Sequence, residues 1–149
     1  TPLVLDLLAG VPAITRMLVM VQKEAGERLA AGPRDPAYGI PSVKVAYRAT
    51  ARLVGRVGPD VFLPRPRVDS ALVEIVRRAT PATDADPAVL TALVEKAFNQ
   101  RRKMLRRSLA GTVSAEQFES AGVDPEDRPE RLSVEDFGRL ANAVARPSS

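Results

Sequence analysis

The sequence predicts an α/β unit over residues 1–79 that lacks the opening of its sheet, followed by a small all-α unit over residues 80–149. Three observations carry this. Apolar runs in residues 1–78 alternate between helical and strand-like spacing and finish with two strand-like runs, as at the end of an open α/β sheet closing on a hairpin. A polar stretch containing Pro81, from Thr80 to Asp86, then interrupts the pattern. Beyond it the apolar residues recur at helical spacing only.

Taken in order, Pro2 sits near a first helical turn, Val4, Leu7 and Leu8 share a face, and Gly10 stops the helix. Ile14 to Val21 is dense in β-branched and apolar residues and predicts a buried strand. Gln22 to Ala31 predicts a helix with Glu24, Glu27 and Arg28 facing out, ended by Gly32-Pro33, and Pro41 to Ala49 predicts another. Leu53–Val57 and Ala71–Val76 predict strands, separated by Gly58-Pro59 and the proline-rich stretch Phe62–Pro66. Three strands without an opening βαβ unit leave sheet edges and faces uncovered. Thr1 is not a natural start, and Leu3–Leu8 follows it at once, so a chain entered midway is expected.

In the second unit Asp86 is placed to cap a helix with Pro87 at its first position. Leu90, Leu93, Val94, Ala97 and Phe98 form its apolar stripe, and continuing that stripe puts Arg101 in the middle of it. Either Arg101 is partly buried with a partner or the helix kinks near Asn99-Gln100. The kink is the expected outcome, because an unpaired charge in a core costs far more than a bend. Ser114 with Gln117 and Ser133 with Asp136 have the spacing of capping boxes, and Phe137, Leu140, Ala141 and Val144 give a last amphipathic helix.

Composition narrows the chemistry. The 149 residues are 45% hydrophobic, which supports a packed core. They include no Cys and no His, which removes disulfides, Cys or His metal sites, Cys nucleophiles and His-dependent triads, and fits a reducing cytosol. No metal partner is expected. Apolar runs such as Met17–Val21 are too short to span a membrane, and no signal-peptide pattern is present. The net charge of +4 is unevenly placed: residues 79–149 hold 10 basic and 11 acidic side chains, yet six of those ten lie between Lys96 and Arg107. No acid occurs from Lys96 through Ala115, so this segment attracts polyanions whatever the total.

Two segments are candidates for function. In Phe62-Leu63-Pro64-Arg65-Pro66-Arg67-Val68-Asp69-Ser70 two prolines stiffen an extended backbone, which presents Phe62 at the mouth of a sheet unless the ring is tucked into the core. In Arg101–Arg107 five of seven residues are basic, either a solvated helix face or a polyanion contact.

At these residues the sequence resembles a known family. Phe62, Pro64, Pro66, Val68 and Ser70 match the F-x-P-x-P-x-V-x-S motif of ribosomal RNA adenine N6-methyltransferases. The segment Phe98–Leu109 is similar to the start of the helical domain in the small-subunit ribosomal RNA adenine N6,N6-dimethyltransferase family. Three further segments agree in order: Val21-Gln22-Lys23-Glu24 with Glu27-Arg28-Leu29, Tyr38-Gly39 with Ser42-Val43, and Arg128-Pro129-Glu130 with Leu132-Ser133. The resemblance covers nearly the whole chain. Gly26 stands where a small apolar residue is usual, and Ile40-Pro41 replaces a polar or basic residue followed by Leu.

The resemblance implies that residues 1–79 are the C-terminal remainder of a Rossmann-like S-adenosylmethionine-dependent methyltransferase sheet and residues 80–149 a helical RNA-binding domain. It implies N6-dimethylation of adenine on small-subunit ribosomal RNA during ribosome biogenesis, in the cytoplasm, on ribosomal RNA or an immature small subunit. Phe62 would stack on the target adenine, with Pro64, Pro66 and Ser70 shaping its loop. Arg101, Arg102, Lys103, Arg106, Arg107 and Arg128 would grip the RNA. The family's glycine-rich donor loop has no counterpart, because the nine glycines contain no G-x-G, and its Asn-Leu-Pro-Tyr segment would end just before Thr1. S-adenosylmethionine is therefore expected on the full-length protein and not on this chain, which is expected to be inactive alone. No general base is apparent, and a reactive sulfonium donor mainly requires in-line positioning of a desolvated amine. Two alternatives remain open: a non-catalytic RNA-binding or ribosome-assembly module, and a large-subunit ribosomal RNA adenine methyltransferase of the antibiotic-resistance type.

Overall fold

The computed structural model describes residues 2–57 and 69–145. Its contacts divide the chain into two units, one of residues 1–32 with 37–81 and one of residues 33–36 with 82–149. The division falls at Pro81, inside the polar stretch, and the short segment 33–36 joins the helical unit.

The first unit contains α1 (Pro2–Gly10), β1 (Arg16–Gln22), α2 (Lys23–Ala30), α3 (Ile40–Arg48), β2 (Ala49–Val57) and β3 (Ser70–Arg77). The strands form one antiparallel sheet in the order β1-β3-β2. β3 is central, pairing from Arg16↔Val76 to Gln22↔Ser70 on one side and from Ala49↔Arg77 to Val57↔Ser70 on the other, with an irregularity between Leu53 and Gly55. The last two strands thus pair as neighbours, as their succession in sequence predicts. β2 begins earlier than its apolar run, directly off the end of α3. Arg78 makes that junction possible, its Nε donating to the carbonyls of Ala46 (2.9 Å) and Ala49 (3.3 Å) at the helix end.

Ala71, Val73 and Ile75 of β3 point into a core shared with Val4, Leu8, Leu29, Val45 and Ala49. Burying a side chain the size of Val or Ile contributes about 1.5–3 kcal/mol. α2 lies across all three strands, and Gly26 is where it comes closest. A Cβ there would meet Ala71 Cβ at 3.0 Å and Val73 Cγ2 at 3.2 Å, so the glycine that departs from the family pattern lets helix and sheet approach. β1 corrects the expectation of a buried strand. Met17, Val19 and Val21 pack against the core, whereas Leu18 and Met20 are 65% and 51% exposed. Its apolar residues occupy both faces, and this unit's helices cover only one of them.

The resembling segments meet in this unit. Ser42, buried, accepts from the Gly39 backbone N–H (3.1 Å) and donates its hydroxyl to the carbonyl of Arg28. That single hydroxyl closes the first turn of α3 and ties it to the end of α2.

The second unit contains α4 (Pro87–Phe98), α5 (Leu105–Ser108), α6 (Ala115–Ala121), a 3-10 turn (Pro129–Arg131) and α7 (Val134–Ala145). Its caps are those the sequence specifies. Asp86 Oδ1 accepts from Ala88 N–H (2.8 Å), and Ser114 with Gln117 and Ser133 with Asp136 form reciprocal boxes at 2.8–3.1 Å. Leu90, Leu93, Leu105, Leu109, Phe118, Leu132, Phe137 and Leu140 fill the core, and the Phe98 and Phe137 rings lie 6.1 Å apart. Gly138 faces Thr83 so closely that a Cβ would lie 2.6 Å from Thr83 Cβ. Arg34 N–H donates to the Glu130 carbonyl at 2.7 Å, which anchors residues 33–36 to this unit.

Candidate nucleic-acid interface

The basic segment begins where α4 stops. The apolar stripe runs out at Phe98, and residues 99–103 form turns in which Asn99 N–H bonds to Glu95 O, Gln100 N–H to Ala97 O and Lys103 N–H to Gln100 O. The expected kink is a full break. Arg101 has partners as well: its guanidinium lies 5.6 Å from the centre of the Phe98 ring and 3.8 Å from Glu130. Its side chain is 42% exposed, so both interactions are screened and modest.

The loop is held from beneath by residues 125–130. Leu105 N–H donates to Asp127 O and Arg106 N–H to Pro125 O, each at 2.8 Å, while Arg128 Nε donates to the carbonyl of Arg102 at 3.0 Å. Leu105, Ser108 and Leu109 turn inward, which forces Arg106 and Arg107 outward on the single turn of α5. Arg102, Lys103, Arg106 and Arg107 are all exposed, and among the described residues their side chains have no hydrogen-bond or ion-pair partner. Four uncompensated cations within six residues make a strong local positive field. The six expected contact residues therefore separate into four open cations and two, Arg101 and Arg128, that also brace the loop. Lys96, in the same acid-free run, bonds through Nζ to Thr112 Oγ1 at 2.6 Å.

Two concavities flank the supporting turn. One, of about 520 Å³, is lined by Arg34, Asp35, Pro36, Glu130 and Arg131. The other, of about 360 Å³, is lined by Met104, Asp124, Glu126, Asp127, Arg128, Glu130 and Arg131. Sequence reasoning gave Glu130 no role beyond its motif and passed over Arg34 and Arg131, which no run or spacing marks. Ser70 begins β3 beside Gln22 of β1. Phe62, Pro64 and Pro66 lie outside the described residues. Among the described residues no cluster of acidic side chains is arranged to hold a metal ion, and no helix is long and apolar enough to cross a membrane.

An antiparallel end of an α/β sheet, continued by a helical unit with an open basic loop, is a fold that solved methyltransferases share. A dimethyladenosine transferase from Plasmodium falciparum superposes with a TM-score of 0.78 at 22% identity, over 93% of this chain and 60% of that one. The 23S rRNA methyltransferase ErmE does so with a TM-score of 0.68 at 21% identity, over 96% of this chain and 60% of that one. The family model described as ribosomal RNA adenine dimethylase matches residues 1–146. The chain belongs to the ribosomal RNA adenine dimethylase family. Among its relatives, the ribosomal RNA small subunit methyltransferase A of Acidothermus cellulolyticus is 46% identical over 147 residues, 95% of this chain and 51% of that protein. The protein of the same name from Streptomyces coelicolor is 49% identical over 146 residues, 94% of this chain and 51% of that protein. The chain spans about half the length of the curated relatives it matches.

Proposed function

We propose that this chain is the RNA-facing part of an enzyme that transfers methyl groups from S-adenosylmethionine to the N6 of adenine in small-subunit ribosomal RNA, twice, during ribosome biogenesis in the cytoplasm. The observation that carries the reading is the open loop of Arg102, Lys103, Arg106 and Arg107 in a chain of this family. The names of the relatives favour the small subunit over the large. Residues 80–149 form the RNA-binding domain in this reading. Phosphates bind the open cations, which positions the RNA without selecting its sequence. Arg101 and Arg128 hold the loop in shape, and each adds a charge at its edge.

Phe62 stacks on the flipped adenine, a contact worth about 1–3 kcal/mol. Pro64 and Pro66 stiffen the approach to it, and Ser70 fixes the start of β3. S-adenosylmethionine supplies the methyl group to the full-length protein. The two concavities of the helical unit do not fit it, since their walls are mostly charged side chains with no apolar slot for an adenine ring. Calorimetry with this chain is expected to give no binding heat for the donor, and micromolar affinity would overturn that assignment.

A non-catalytic RNA-binding module would use the same loop. Phe62→Ala in the full-length protein separates the two readings. The enzyme loses methylation while bulk RNA affinity changes little; retention of full methylation rejects the stacking role.

A further inference from the structure

The Arg128–Arg131 turn supports more than the basic loop. On one side it holds that loop, through Arg128 to the Arg102 carbonyl and Glu130 to Arg101. On the other it holds Arg34, whose N–H donates to the Glu130 carbonyl. The two concavities beside the turn share Glu130 and Arg131, so they form one groove that runs from Arg34 to Met104 in the basic loop.

Arg34 is unusual in its backbone and in its side chain. Its φ is +73°, the one positive value at a non-glycine among the described residues. An L-residue adopts that conformation at a cost, and it persists where the surroundings hold it. Here the bond to Glu130 does so. The side chain is exposed and has no ion-pair or hydrogen-bond partner among the described residues. The acids of the groove are already engaged: Glu130 faces Arg101 at 3.8 Å, Asp127 faces Arg131 at 3.8 Å, and Asp35 has a partner of its own. Arg34 is thus the open cation of a groove that continues the basic loop.

We propose that this groove is a second RNA-backbone contact, in which Arg34 pairs with a phosphate of a single-stranded segment whose neighbouring phosphates lie on the loop. This rests on the RNA-binding reading of the loop. The spare acceptors of the groove's carboxylates suit ribose 2′-hydroxyls between phosphates.

The test measures binding of a short single-stranded RNA oligonucleotide to the full chain by fluorescence anisotropy across a salt series. Arg34→Ala is expected to weaken binding and to reduce the log–log salt slope by about 0.7, the loss of one single-strand phosphate contact. Arg34→Lys is expected to retain the slope, and Arg34→Gly, which relaxes the backbone while removing the charge, to match Arg34→Ala. A parental slope in Arg34→Ala overturns the proposal when the double variant Arg102→Ala, Lys103→Ala shows a reduced one. A parental slope in Arg34→Gly overturns it too, because the effect then belongs to the backbone. An unchanged slope in the double variant itself rejects the loop as the RNA contact, and the groove with it.

Discussion

Arg101 and Arg102 are adjacent and chemically identical, yet the fold gives them different surroundings. Arg101 leans on Phe98 and faces Glu130, whereas Arg102 offers the protein only its backbone carbonyl. Replacing Arg101 by Ala is expected to cost about 0.5–1 kcal/mol of stability, the value of a partly screened cation–π contact, read as a lowered Tm. Arg102→Ala should leave Tm unchanged and weaken RNA binding; equal Tm losses in both would erase the distinction. Helical spacing marked Arg101 as exceptional. It could not supply Glu130, a partner 29 residues away, because contacts across turns leave no periodic trace. Glu74 makes a second residue-scale case. The Arg16 guanidinium first, and then Arg52 at 2.9 Å, hold its carboxyl below the usual carboxylate range. A folded-state pKa lowered in this way gives stability that is present above the unfolded pKa and lost as pH falls through the folded one. The stability gap between the parent chain and Glu74→Gln is therefore expected to be widest near neutral pH and to close on acidification, as urea melts at several pH values would show.

At the scale of elements, helix starts were legible and close approaches were not. Ser114, Ser133 and Asp86 act locally through side chains two or three residues from their partners, so sequence spacing alone locates them. The exposed face of β1 was hidden because its apolar residues alternate with other apolar residues, leaving no period-2 signal for which side is covered. Gly138 illustrates the same limit. Propensity alone says that Gly→Ala inside a helix should stabilise by about 1 kcal/mol. The structure reverses the sign, because the new Cβ would lie 2.6 Å from Thr83 Cβ and 2.7 Å from its Cγ2. Thr83 is β-branched and has little rotamer freedom with which to withdraw. Gly138→Ala is expected to destabilise the chain by about 1–3 kcal/mol, with part of the loss recovered in combination with Thr83→Gly. A raised Tm in the single variant would show that the residues around Thr83 give way.

For the whole molecule, the order of helices and strands, the sheet's closing hairpin and the basic loop were all readable, since each leaves a pattern along the chain. Joining residues 33–36 to the helical unit was not, because it rests on a single backbone bond to Glu130. Charge shows most directly why distribution matters more than sum. The net charge of +4 is small for a polyanion-binding protein, and the sequence pI of about 10.0 says nothing about where a polyanion would lie. The structure concentrates unpaired cations on one loop, where fields from neighbouring side chains add over distances shorter than the Debye length of about 8 Å at physiological salt. Changing Arg102, Lys103, Arg106 and Arg107 to Ala brings the formal net charge to zero. It should reduce the log–log salt slope of RNA binding by roughly 3, at about 0.7 for each single-strand phosphate contact. Removing charge from the α/β unit, with Lys23→Ala and Lys44→Ala, should leave the slope nearly as it was. Proportional losses in the two variants would mean that RNA responds to total charge, and that the loop is not a binding site.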